Sequence, residues 1–236
     1  MAELIAIQQI AVFAVRKADE DLHVMSQCAT CHGGCCRAFA VPVSGADILR
    51  ITSGVGLSFW DVACRWEDPH AEITRGSAPR FHFADSPQIP YAICLLHEAS
   101  RSFPGTTKCR FLRERETSDE HPLPTAECSI YGHRPGTCRS FPAALNGQGG
   151  LRIIDVPEYG RRDRREAYRL CPQEWHPADF DEQDMLGDLN ATVAEMQFFA
   201  LVAEIWNRHP QAWEIFPDFL QLVYEERDEL ERRAAA

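Results

Sequence analysis

Four of the chain's ten cysteines fall within nine residues, Cys28-Ala-Thr-Cys31-His-Gly-Gly-Cys35-Cys36. Thiols at that density must either be cross-linked or be gathered around a metal. The two-residue spacing between Cys28 and Cys31 lets one tight loop bring two thiolates to the same ion. Gly33-Gly34 then breaks regular structure, as a segment wrapping an ion requires. Six further cysteines follow at Cys64, Cys94, Cys109, Cys128, Cys138 and Cys171. Five disulfides would satisfy the even count, but the side chains of adjacent Cys35 and Cys36 diverge and would need separate, distant partners.

The start of the chain, Met1-Ala-Glu-Leu-Ile-Ala-Ile, carries an acid at position 3, no basic segment and no small-residue cleavage site, so it does not read as a secretory signal. No apolar run approaches the roughly 20 residues that span a bilayer. The expectation is a cytoplasmic protein with no membrane partner, where thiols stay reduced and cysteine clusters serve metals or catalysis. The net charge of −11 also argues against nucleic acid and anionic lipid. One local exception is a basic knot, Arg161, Arg162, Arg164 and Arg165 with Arg152 and Arg169 nearby. It could dock an acidic partner, although a solvated helix face paired to Asp163 and Glu166 is the ordinary reading. Lys17 and Lys108 are the only lysines, which leaves few candidates for Schiff-base chemistry.

At 236 residues and 45% hydrophobic, the chain can bury a core of its own. Leu4, Ile5, Ile7, Ile10, Ala11, Phe13, Ala14 and Val15 recur at helical spacing and predict an amphipathic helix over 1–27. Ser44 or Asp47 can cap a short helix through Asp47–Ile51. Ser58 can cap a second over Phe59–Trp66, with Cys64 inside it as a small buried hydrophobe. Residues 68–150 are rich in proline and glycine and hold four cysteines that could organise them around metal. Leu151–Val156 predicts a strand. Two helical segments follow, at about 181–207 and 211–233, separated by His209-Pro210 and interrupted by Pro217. The stripe of Met196, Phe198, Phe199, Val202 and Trp206 predicts a packing face. The fold class expected from these patterns is mainly α, with helices around an irregular, metal-organised cysteine-rich core and one or two short strands.

Competing signatures are weak. Cys28-x-x-Cys31-His32 matches the haem-attachment pattern, but that leaves Cys35 and Cys36 unexplained; His32 could instead be an auxiliary metal ligand. There is no phosphate-cradling Gly-x4-Gly-Lys-Ser/Thr loop and no His-Glu-x2-His. Cys94 and His97 could be drawn as a nucleophile and base, but neighbours of these types arise by chance in such a chain.

The run Cys28-x2-Cys31-x3-Cys35-Cys36, then Asp47-Ile-Leu-Arg-Ile51 with Gly56-Leu-Ser58, Cys109-x-Phe-Leu112, Cys128-x-Ile-Tyr131 and Arg134-Pro-x2-Cys138-Arg-x-Phe-Pro142, resembles the YkgJ-type cysteine-cluster family. The resemblance covers 28–172, with the inserts after Gly56 and Phe111 longer than the pattern, and divides the chain into 1–27, a metal-binding 28–172, and a helical 173–236 packed on it. It implies a domain chelating zinc or iron, with Cys28, Cys31, Cys35, Cys36, Cys109, Cys128, Cys138 and Cys171 as ligands; Cys64 and Cys94 have no counterpart in the blocks. Eight thiolates could make two tetrahedral zinc sites or hold one iron–sulfur cluster with thiols left over. The family is also similar to the cysteine-rich part of flagellin lysine methylases, which implies a 4Fe–4S cluster and tips the balance slightly toward iron. Arg37, Arg134 and Arg139 stand beside thiols and could neutralise such a centre. Three roles stay open: a structural or metal-handling protein, a cluster-dependent enzyme that modifies a protein or small molecule, and an acidic scaffold with structural zinc recruiting a protein partner.

Overall fold

Ser44 opens the first long element by a reciprocal cap. Its hydroxyl accepts the Asp47 backbone N–H at 3.1 Å, while the Asp47 carboxylate receives the Ser44 N–H. In the computed structural model, which describes residues 33–115, 126–153 and 181–235, this helix is α2 (Gly45–Val55). It follows a single turn, α1 (Gly34–Ala38), that carries Cys35 and Cys36. The predicted N-terminal helix, the basic knot at Arg161–Arg165 with Arg169, and Cys28, Cys31, His32 and Cys171 lie outside the described residues. Arg152 is described and is exposed.

The mainly α expectation is overturned. About 46% of the described residues are helical and 18% are strand, arranged in four two-stranded antiparallel sheets. The first departure comes after Ser58. It does cap a helix, α3 (Phe59–Val62), but Ala63 adopts extended geometry and the chain continues as β1 (Ala63–Glu67). Cys64 therefore lies on a strand rather than in a helix. β1 pairs with β2 (Tyr91–Leu95), every residue of which is buried. A strand covered on both faces shows an apolar run with no alternation, which hides its period from sequence.

Val43 donates to the Ile93 carbonyl and Leu95 donates to the Val41 carbonyl, so the 41–43 segment flanks β2 on its other edge. The remaining pairs are β3 (His97–Ala99) with β4 (Thr107–Cys109), β5 (Leu112–Glu114) with β6 (Ala126–Cys128), and β7 (Ala143–Leu145) with β8 (Leu151–Ile153). Between β6 and β7 runs a short helix, α4 (Gly136–Ser140), which carries Cys138.

Two long helices close the chain, α5 (Glu182–Arg208) and α6 (Phe216–Ala234). Pro217 does not interrupt the second. It sits in the first turn, where a missing N–H costs nothing. Phe198, Phe199, Val202 and Trp206 of α5 join Phe216 and Leu220 of α6 in one core with Ile48, Ile51, Val62, Phe81, Phe83 and Ile93. Phe216 is fully buried and its ring packs on Phe81, Phe83 and Trp206 within 5.6 Å between centroids. Burying each such ring contributes about 3 kcal/mol. Trp206 also donates its indole N–H to the His82 carbonyl at 2.7 Å, tying the proline-rich middle of the chain to α5. No helix among the described residues is long and apolar enough to cross a membrane.

Candidate metal centre

Gly33 sets up the first part of the site. Its φ of +75° is accessible to glycine at little cost, and a Cβ there would lie 2.6 Å from a Leu112 methyl group. The turn that follows, α1, presents Cys35 and Cys36 with their sulfurs 3.8 Å apart, closer than divergent neighbouring side chains would allow. Arg37 fastens this turn to the sheets. It is buried, donates to Ser100 Oγ at 2.8 Å and Glu114 Oε1 at 2.6 Å, and lies 4.7 Å over the Phe103 ring. Its charge is thus engaged by Glu114. Burial alone would raise the Glu114 carboxyl, but hydrogen bonds from Ser100, Arg37 and the Arg101 N–H hold it down at about 2.

Three more thiols arrive from separate elements. Cys109 ends β4, Cys128 ends β6 opposite Leu112, and Cys138 lies in α4. The last is positioned from a distance: Asp47 Oδ1 accepts the Gly136 N–H at 3.1 Å, and Arg50 donates to both Asp47 and the Arg134 carbonyl. Gly136 also lets α4 approach α5, since a Cβ there would meet Thr192 Oγ1 at 2.3 Å.

The five thiols sense one another electrostatically. The Cys35 hydrogen bond and then burial push Cys36 well up, with Cys109 and Cys138 acting in the same direction. Burial takes Cys109 to about 12, aided by Cys128 and Cys35 and opposed by the Phe111 N–H and Lys108. Cys138 is pushed well up by burial and then by Cys109, Cys35 and Cys128. Burial also raises Cys128, against the Ile130 N–H and Arg134. Thiols gathered this way hold their protons unless a cation replaces them.

Of the three predicted arginines, Arg134 is the one whose charge bears on Cys128 and Cys138. Its guanidinium stacks 3.7 Å over Tyr131 and donates to the Tyr131 carbonyl. Arg139 instead faces Asp188 at 3.4 Å. A cation missed from sequence is Lys108, buried next to Cys109, with Nζ donating to Glu98 at 2.6 Å and to the Leu112 carbonyl at 2.7 Å. Its position immediately before a ligand candidate, in a chain almost devoid of lysine, was the available signal.

Cys64 and Cys94 are set apart from this group. They pair with each other across β1 and β2, and Cys64 donates weakly to the Leu95 carbonyl. Burial raises Cys64 to about 11 and takes Cys94 well up.

The donor set fits a metal that prefers soft ligands: buried and half-buried cysteines on four elements, with Arg134 and Lys108 beside them. It is a neighbourhood rather than a finished cage, because among the described residues no three His, Cys, Asp or Glu side chains are placed to hold one ion. Compared with known proteins, residues 27–172 match the family model CxxCxxCC, described as "Putative zinc- or iron-chelating domain". No curated protein and no solved structure gave a significant match.

Proposed function

Because this chain belongs to the CxxCxxCC family, we propose that it is a metal-binding protein holding zinc or an iron–sulfur cluster through its clustered thiols. Family membership supports metal binding in the coarse sense. The finer reading assigns Cys28, Cys31, Cys35, Cys36, Cys109, Cys128, Cys138 and Cys171 as ligands within a metal-binding unit spanning 28–172. The role is structural or metal-handling. The observation that carries this reading is the mutual electrostatic coupling of Cys35, Cys36, Cys109, Cys128 and Cys138, which reach one region from α1, β4, β6 and α4. Cys36, Cys109, Cys128 and Cys138 are raised by burial and by their thiol neighbours, a cost that is relieved when thiolates form and are neutralised together, which is what a zinc or iron centre supplies.

The deciding experiment is anaerobic purification of the full chain, followed by zinc, iron and acid-labile sulfide per chain and the visible spectrum. Stoichiometric zinc in colourless protein supports the zinc form. Iron with matching sulfide and broad visible absorption supports the cluster. Protein that is folded, cooperative in unfolding and free of both metals overturns the proposal.

A further inference from the structure

We propose that His97 supplies an imidazole donor to the same metal centre, a ligand outside the cysteine motif; the inference rests on the metal-binding reading given above. Four observations place it there. His97 stands directly opposite Cys109 in the β3–β4 register. The backbone bonds on either side, Arg110 N–H to Leu96 and Ser100 N–H to Thr106, make this a non-hydrogen-bonded pair, the kind whose side chains approach most closely on one face. The residue is therefore delivered to the face on which Cys109 meets the other thiols.

The ring is also held in a manner suited to a ligand. Both of its nitrogens are buried, and neither closes a hydrogen bond of good geometry among the described residues. The Phe39 carbonyl is a looser acceptor for one ring N–H, and Phe39 is the residue that caps α1, the turn carrying Cys35 and Cys36. The other nitrogen is left buried, a state that calls for a partner of another kind. An imidazole directing one nitrogen to a backbone carbonyl keeps the other nitrogen's lone pair for a metal, the orientation that ligating histidines ordinarily use.

The ring plane is set by an edge-on contact with Trp66, with centroids 5.3 Å apart. Mixed thiolate and imidazole sets suit zinc, and imidazole also replaces thiolate on iron in some iron–sulfur centres.

The test is X-ray absorption at the zinc or iron edge of the purified full chain, compared among wild type, His97→Ala, His97→Cys and His32→Ala. The expected result is imidazole scattering in wild type and in His32→Ala, its loss in His97→Ala, and an all-sulfur shell in His97→Cys. Metal retention against a competing chelator should weaken by more than about 100-fold in His97→Ala, beyond the roughly 10- to 100-fold that loss of an outer-shell partner gives. If His97→Ala fails to fold, His97→Cys carries the same readout. A metal-loaded wild type with a sulfur-only shell, or imidazole scattering that persists in His97→Ala and His97→Cys, overturns the inference and leaves the metal-binding reading intact. A wild type with no metal overturns both.

Discussion

The Asp47 carboxylate accepts the backbone N–H of Gly136 at 3.1 Å, joining the first turn of α2 to the helix that carries Cys138. The same oxygen receives Arg50 at 2.8 Å, and Arg50 in turn donates to the Arg134 carbonyl at 2.9 Å. An Asp-x-x-Arg pair therefore fixes both the arginine and the glycine that precede the cysteine. Replacing Asp47 with alanine removes one half of the reciprocal cap, the carboxylate that receives the Ser44 N–H, and leaves Arg50 without its carboxylate. We expect a loss of about 2–3 kcal/mol in urea unfolding, together with reduced metal per chain. Asp47→Ala protein with wild-type midpoint and metal content would show that the tie is dispensable.

Arg37 and Glu114 predict the acid limb of stability. The Glu114 carboxyl is held at about 2, below its ordinary 4.5, so the native state binds fewer protons than the unfolded chain between those values. The contribution is complete above about pH 4.5 and is lost as pH falls toward 2. The shift corresponds to roughly 3 kcal/mol, an upper figure since the site is partly reached by water. Glu114→Gln should lower stability at neutral pH and flatten the dependence between pH 5 and 2 in denaturant titrations. An unchanged acid slope would mean that other carboxylates control it.

The parts of the molecule with long, one-sided periodicity were legible before any coordinates. α5 declares itself through Phe198, Phe199, Val202 and Trp206, and the caps at Ser44 and Ser58 are visible as residue types. β8 falls within the strand predicted at Leu151–Val156, but the other strands were not legible, because β3 to β7 are three residues each and cannot display a period. Their existence depends on distant partners, such as Leu112 with Cys128. The same reason hid part of the site. Cysteine density pointed to the thiols, whereas the placement of His97 against Cys109 exists only through the β3–β4 register. Arg139 adjoins a cysteine in sequence yet faces Asp188, because α4 turns that side chain toward α5.

Raised thiols predict the alkaline limb of the metal-free protein. Cys36, Cys109, Cys128 and Cys138 all lie above the ordinary thiol range when folded. Between about pH 9 and the folded values the unfolded chain is deprotonated and the native state is not, so stability present below pH 9 falls as pH rises. The slope is roughly 1.4 kcal/mol per pH unit for each participating thiol. Metal-free protein prepared with chelator should therefore lose stability steeply from pH 9 to 10.5. The metal-loaded form, whose thiolates are already formed, should change little. Equal slopes for the two forms would contradict the coupling of these thiols to metal.

Serine substitutions separate ligands from bystanders. Cys138 is half-buried within electrostatic reach of Cys109, Cys35 and Cys128, whereas Cys64 faces Cys94 on a different sheet and donates to the Leu95 carbonyl. A serine hydroxyl can make that last bond but is a poor ligand for zinc or iron in a thiolate shell. Cys138→Ser, and likewise Cys31→Ser in the spaced motif, should lower metal per chain by at least about half and weaken folding where the metal contributes to it. Cys64→Ser should keep its metal and lose only about 1–2 kcal/mol of packing. Elemental analysis of the three purified variants decides the assignment: full metal retention in both Cys31→Ser and Cys138→Ser would remove it, and loss in Cys64→Ser would move the centre to the β1–β2 pair.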